Sequence, residues 1–266
     1  MSKPFKGGAG GRGKGKPARP WASTFKDQPV DPNAPVWIYG HHPVAEALRN
    51  PRRTPLRLVV SRNAARDLPP GTEAEVMEPR AIDALLPPGA VHQGIALLAE
   101  PLPQPSIQDL IESAQGGTLV FLDQVTDPHN VGAILRSAAA FGAAGIVTTR
   151  RHAPPITGVL AKAASGALEH IAYCQVTNLA EALLAAKEAG FVALGFDEGG
   201  EPLKNIPATG GVALVLGAEG SGLRERTREL CDKMIRLETQ GAIGSLNVSN
   251  AAAVALYAIA ALRTKP

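Results

Sequence analysis

Cysteine, aromatic side chains and long apolar runs are all scarce in this 266-residue sequence. Its two cysteines, Cys174 and Cys231, supply neither a disulfide framework nor the paired spacing of a zinc site. The longest apolar run, residues 251–262, is shorter than the roughly 20 residues that cross a bilayer. No apolar block follows the first basic residues, as a secretory signal peptide would require. We therefore expect a cytoplasmic protein that holds no metal ion and has no membrane segment.

Aromatic residues make up 4% of the chain and hydrophobic residues 45%, which predicts a core of alanine, valine, leucine and isoleucine. The net charge of +3 is unevenly distributed, because residues 1–30 carry seven lysines and arginines against one acid, Asp27. A tail so rich in glycine, proline and positive charge cannot bury enough apolar surface to fold alone, so residues 1–35 are predicted to be a disordered basic tail. Its positive charges are expected to bind the phosphate backbone of an RNA. The alternative is that the tail only improves solubility.

Segments with strand and helix patterns alternate along the rest of the chain in two blocks. Residues 36–100 predict a small α/β domain, with a helix over 81–86 and a strand over 91–99. Three prolines then predict a stiff linker over 101–106. Residues 107–266 alternate strands with helices again, which predicts a mainly parallel sheet covered by helices on both faces.

The first of three polar motifs in this second block is residues 122–137 (LDQVTDPHNVGAILRS). It runs from a strand into a helix predicted over 131–141, and Asn130 is expected to cap that helix. Arg136 falls off the helix's apolar stripe. Asn130 and Arg136 can therefore serve one site, although a capped surface helix with a solvated arginine is the simpler alternative.

The second motif is residues 215–223 (VLGAEGSGL), in which a glycine-rich loop closes an apolar strand. Glycines there allow the backbone to approach a ligand closely. The segment resembles a dinucleotide-binding site, in which Glu238 downstream would bind a ribose hydroxyl. Its glycines, however, stand at i, i+3 and i+5 rather than i, i+2 and i+5, which disfavours a nicotinamide enzyme.

The third motif is residues 243–250 (IGSLNVSN), which precede an alanine-rich helix predicted over 250–262. Ser249 or Asn250 can act simply as the cap of that helix. The histidine and aspartate partners of a hydrolase triad are missing, and so is a G-x-S-x-G elbow.

In this order the three motifs resemble those of the SpoU-type RNA ribose 2′-O-methyltransferases. Residues 39–48 (YGHHPVAEAL) and 91–96 (VHQGIA) resemble the small RNA-binding domain of many members, in the arrangement of bacterial enzymes that methylate a guanosine ribose in 23S ribosomal RNA. The resemblance implies an α/β fold with a small RNA-binding domain and a parallel-sheet methyltransferase domain that ends in a trefoil knot. It also implies S-adenosylmethionine as cofactor, a homodimer and an rRNA substrate. A tRNA target, or a non-catalytic RNA-binding assembly factor, are the alternatives.

The resemblance also assigns residues. Positions that match the family's catalytic motif residues are Asn130, Arg136, Glu219, Ser245 and Asn247, and those that match its adenosyl-binding backbone positions are Gly217, Leu237 and Leu246. One departure is Gly244, where a second serine is expected. A guanidinium is effectively never neutral in proteins, so we expect Arg136 to clamp a phosphate and stabilise alkoxide charge rather than act as a base. Glu219 is expected to accept the proton, directly or through water, or to orient Asn130.

Overall fold

The computed structural model describes residues 31, 33–203, 210–241 and 246–263. The chain divides into two units, Met1–Asp31 and Pro32–Pro266, and every described helix and strand lies in the second. Most of the predicted basic tail, residues 1–30 and 32, lies outside the described residues, so its disorder stays a prediction.

The first four strands form a small mixed sheet, in the order β1-β4-β2-β3. Strand β4 is antiparallel to both β1 and β2, whereas β2 and β3 are parallel. Successive side chains of a strand point to opposite faces, so Val60 packs towards one core and Val59 towards another. The elements are β1 (Val36–Tyr39), α1 (His41–Arg49), β2 (Pro55–Val60), a 3₁₀ turn (Ala64–Asp67), β3 (Glu75–Val76), α2 (Pro79–Asp83) and β4 (Ile95–Ala99).

The remaining six strands form one parallel sheet in the order β10-β8-β9-β5-β6-β7, which confirms the predicted parallel sheet. The strands are β5 (Thr118–Asp123), β6 (Gly145–Thr149), β7 (Ala172–Val176), β8 (Phe191–Pro202), β9 (Gly211–Gly217) and β10 (Lys233–Arg236). The helices are α3 (Ile107–Ser113), α4 (Pro128–Ala140), α5 (Gly158–Ala164), α6 (Leu179–Glu188), α7 (Glu225–Leu230) and α8 (Val248–Arg263), with a 3₁₀ turn at Ala167–Glu169.

Both faces of this sheet are buried, as the uninterrupted apolar strands predict. In β5, Val120 and Leu122 pack into a core with α4, α5 and α8, while Leu119 and Phe121 pack with α3 and α6 on the other face. All four side chains are fully buried, and burial of each stabilises the fold by roughly 1.5–3 kcal/mol. No helix in the described ranges has the length and apolar character needed to cross a membrane.

Three predicted boundaries were wrong for local reasons. Helix α4 begins at Pro128 and is capped by Asp127, whose carboxylate accepts a hydrogen bond from the His129 N–H at 3.0 Å, so Asn130 is not the cap. Proline at the first helical position with aspartate before it is a favoured helix start. The strand predicted from residue 91 begins only at Ile95, because Gln93 and Gly94 have positive φ. The predicted helix over 81–86 is Pro79–Asp83.

Candidate active site

The three motifs meet at the carboxyl-terminal edge of the parallel sheet. Strands β5 and β9 are neighbours in register, so that Asp123 pairs with Gly217, the last residue of each strand. Helix α4 follows β5, the glycine loop follows β9, and α8 packs against α4. Ligands of open α/β sheets bind at this edge, where successive loops converge.

Asn130, Glu219 and Asn247, one residue from each motif, form a hydrogen-bonded group that we call the amide–carboxylate cluster. The Asn130 Nδ2 donates to Glu219 Oε1 at 3.1 Å. The Asn247 Nδ2 donates to the same oxygen at 2.6 Å and to Asn130 Oδ1 at 3.1 Å. Three residues that are separated by up to 117 positions in the chain are therefore in mutual contact.

Helix α8 fixes the orientation of Asn247. The Asn247 Oδ1 accepts hydrogen bonds from the backbone N–H and the hydroxyl of Ser249, at 2.8 and 2.5 Å. Asn247 therefore caps the N-terminus of α8, because its side chain accepts a free backbone N–H of the first turn. The expectation that Ser249 or Asn250 is the cap was wrong. Since its oxygen is held by Ser249, its NH₂ group points to Glu219, and the network determines which way the amide is turned.

Both amides donate to one oxygen of Glu219. Among the described residues, no group donates to the other oxygen, Oε2. The side chain is exposed, at the tip of the glycine loop. The cluster thus holds a carboxylate in one orientation and leaves an acceptor open to a ligand.

The glycine loop is closed by two backbone hydrogen bonds between Ala218 and Gly222, at 3.2 and 2.9 Å. A Cβ atom on Gly217 would overlap the carbonyl group of Gly222, so only glycine allows the chain to fold back this tightly. This turn presents Glu219 beside the end of α4.

Asp123 is a residue that the sequence reasoning missed. Its fully buried carboxylate accepts hydrogen bonds from Arg224 Nε at 2.7 Å and from the Arg224 backbone N–H at 3.1 Å. These bonds fasten the end of the glycine loop to β5. A charged residue that ends an otherwise apolar strand (TLVFLD) is the signal that would have identified it, because buried charges need a partner.

The other predicted residues make no hydrogen bond with the cluster among the described contacts. Arg136 is exposed on α4, and no hydrogen bond or ion pair joins it to any described residue. Leu246, next to Asn247, is 46% exposed, an uncovered apolar side chain at the site. Gly217 and Leu237 are half-buried at the ends of β9 and β10. Ser245 lies outside the described residues.

In the described part of the chain, the cluster offers a ligand two amides, one exposed carboxylate and the glycine backbone beside it. No three histidine, cysteine, aspartate or glutamate side chains in the described ranges lie where they could hold a metal ion together.

Comparison with known proteins assigns these elements to two families. Residues 117–257 match the SpoU rRNA Methylase family, and residues 37–105 match the RNA 2'-O ribose methyltransferase substrate binding family. A protein from Burkholderia sp named 23S rRNA (guanosine-2'-O-)-methyltransferase RlmB is 43% identical over 177 residues, which cover 65% of this chain and 72% of that protein. A protein of the same name from Vibrio cholerae is 37% identical over 238 residues, 83% of this chain and 94% of that protein.

Solved structures agree with this assignment. The SpoU methyltransferase AviRb from Streptomyces viridochromogenes, in complex with the cofactor AdoMet, superposes with a TM-score of 0.73 at 25% identity. The superposition covers 86% of this chain and 91% of that one, and so includes both sheets.

Proposed function

Because this chain belongs to the SpoU rRNA Methylase family, we propose that it transfers a methyl group from S-adenosylmethionine to the ribose 2′-hydroxyl of a guanosine in 23S ribosomal RNA. The observation that carries the proposal is the amide–carboxylate cluster, in which residues of all three family motifs are in contact. We take the proposed RNA target from the names of the relatives, which are 37–43% identical to this chain. Action on ribosomal RNA would place the enzyme in the cytoplasm.

Three residues that the family resemblance assigns to the cofactor have suitable chemistry. An adenosyl group needs an apolar surface and close backbone, and these positions are the exposed Leu246, the half-buried Leu237 and the glycine turn at Gly217. We propose that these three residues hold the adenosyl part. When bound, S-adenosylmethionine supplies a methyl group on a positively charged sulfur, which is already an activated leaving group.

Glu219 is the proton acceptor in this proposal. The 2′-hydroxyl is a poor nucleophile and must lose its proton during or before attack. The hydrogen bonds from Asn130 and Asn247 to Oε1 hold the carboxylate still, and the remaining oxygen can take the proton directly or through water. Ser245, two residues before Asn247 in the sequence, is proposed by the family resemblance to complete the polar pair of the third motif.

Arg136 is proposed to bind the substrate rather than to exchange protons. Its guanidinium is exposed and has no described partner, so it is available for two parallel hydrogen bonds to an RNA phosphate. The same charge would stabilise the oxygen that develops negative charge in the transition state.

We further propose a homodimer and the family's trefoil knot in the C-terminal segment. Ala252 and Ala255 of α8 are buried in the protein's own core, so these small side chains offer no surface to a second subunit. The exposed face of α8 instead carries Val254 and Tyr257, 45% and 61% exposed. These side chains, one helical turn apart, would be covered by a second copy of the chain.

Nucleoside analysis tests the reaction. The full chain and its Arg136→Ala variant are incubated with labelled S-adenosylmethionine and unmodified large-subunit rRNA or tRNA. We expect label in 2′-O-methylguanosine from rRNA, lost in the variant. Label from tRNA alone would overturn the target and keep the reaction. If the cofactor does not bind, the alternative of a non-catalytic assembly factor replaces the proposal.

A further inference from the structure

A cavity of about 280 Å³ lies in the small-sheet region, away from the amide–carboxylate cluster. It is bounded by the start of α1, the end of β2, the start of α2 and the segment before β4. We propose that this small-domain cavity binds one unstacked base of the substrate RNA, an inference that rests on the proposed function.

The wall of the cavity is a rigid turn at Gln93 and Gly94. Gln93 has φ +57°, uncommon for a residue with a side chain, and a Cβ on Gly94 would overlap the Ser61 hydroxyl. His92 holds the turn, because its Nδ1 accepts the Gly94 N–H at 3.0 Å and its Nε2 lies 3.1 Å from Asp83 Oδ1. Backbone strain of this kind concentrates at binding sites.

The lining has the chemistry that base recognition needs. RNA bases that leave the stack are held between flat side chains and by hydrogen bonds to their edges. His41, His92 and Pro79 supply flat faces, and Asn63, Asp67 and the NH₂ group of Gln93 supply polar groups for the edges. No lysine or arginine is among the lining residues, which disfavours a phosphate as the occupant.

Positive charges lie beside the cavity along the chain rather than in it. Arg62, Arg66 and Arg80 are exposed and adjoin the lining residues in sequence. Arg62 meets Glu78 only at 3.9 Å, and both side chains are more than 70% exposed, so the arginine is available to another anion. Phosphate contacts position an RNA and base contacts specify it, and the two kinds of group are arranged here in that way.

The cavity is also tied to the methyltransferase elements. The Gln93 Oε1 accepts hydrogen bonds from Lys162 Nζ in α5 at 2.7 Å and from the His41 backbone N–H at 3.3 Å. Helix α5 in turn packs against α4, which carries Asn130. A base held in the cavity would therefore lie at a fixed distance from the ribose at the cluster.

RNA binding over a series of salt concentrations tests the proposal with the full chain. We expect His41→Ala and Asn63→Ala to weaken binding to in vitro transcribed large-subunit rRNA at least about fivefold, the loss of roughly one base contact. The salt dependence of the affinity for rRNA should stay unchanged in both variants, because neither His41 nor Asn63 neutralises a phosphate. His42→Ala, its exposed neighbour outside the lining, is the matched control and should bind as the unaltered chain does.

Two further variants separate a base site from a structural effect. His41→Phe retains a flat face and should restore most of the affinity, whereas Arg66→Ala should lower the slope of log affinity against log salt by about 0.7–0.9. The proposal is overturned if His41→Ala and His42→Ala bind equally, if His41→Ala lowers the salt slope, or if the unaltered chain does not bind rRNA. Binding without methyl transfer by the unaltered chain would contradict the proposed reaction only, and the cavity variants would still decide this inference.

Discussion

Arg53 and Glu169 form an ion pair in which both side chains are only 3% exposed. The Arg53 Nη2 lies 2.6 Å from Glu169 Oε1, and its Nε donates to Oε2 at 3.2 Å. Asn50 Nδ2 donates to the same carboxylate at 2.8 Å. Arg53 precedes β2 and Glu169 follows α5, so the pair joins the small-sheet region to the methyltransferase elements. A buried pair adds little net stability over apolar packing, but loss of one partner leaves an unpaired buried charge.

Glu169→Ala is therefore expected to lower the free energy of unfolding by about 3–5 kcal/mol. Glu75→Ala is the control, because it breaks the exposed pair of Glu75 with Arg57 and should cost less than about 1 kcal/mol. Urea denaturation of both variants measures the difference. Equal losses would show that the buried pair does not hold the two regions together.

Glu219→Gln should reduce the rate of methyl transfer about 10²–10⁴-fold, the usual contribution of a general base. The glutamine keeps the size of the side chain and an oxygen for the two asparagine amides, so cofactor affinity should change little. Single-turnover methylation measures the rate, with Glu225→Gln in α7 as an exposed control. A rate within tenfold of the unaltered chain would leave Glu219 as an orienting group only.

Asp123→Asn should weaken S-adenosylmethionine binding although the side chain is fully buried. The substitution removes the charge that fastens Arg224, and with it the end of the glycine loop. A hydrogen bond to a charged group is worth about 1.5–3 kcal/mol, so a tenfold loss of affinity in a calorimetric titration is expected. Unchanged affinity would mean that the loop keeps its shape without this anchor.

The pH dependence of stability should show the contact between Glu46 and His170, 2.6 Å apart. The hydrogen bond with His170 is the main cause that holds the pKa of Glu46 below its ordinary 4.5. A carboxyl group whose pKa is lowered by folding stabilises the folded state above pH 4.5. That stabilisation is lost as the pH falls through the pKa of the group in the folded protein. The unfolding free energy of Glu46→Gln should thus fall less between pH 5 and 3 than that of Glu181→Gln, an exposed control. If the unfolding free energies of the two variants fall in parallel with pH, the contact between Glu46 and His170 does not contribute to the loss of stability in acid.

The parallel sheet was predictable, because apolar strands such as Thr118–Asp123 alternate with helical patterns. The cluster residues were identified by resemblance, and their roles stay predictions. Their mutual contact depends on the register of Asp123 with Gly217, which no local pattern specifies. Helix α3 was missed although Ser106 and Asp109 form a capping box, a local signal that its short length obscured. The Arg53–Glu169 pair could not be foreseen, since its partners are 116 residues apart.

The sequence separation within the amide–carboxylate cluster also sets when the site can form. Asn130 meets Glu219 across 89 residues and Asn247 across 117, and closing such distant contacts is slow compared with forming helices and neighbouring strands. During synthesis on the ribosome, the hydrogen bond from Asn247 to Glu219 forms only after α8 has left the ribosome and packed against α4. During refolding from denaturant, the return of methyl transfer should lag behind the circular dichroism of the sheet.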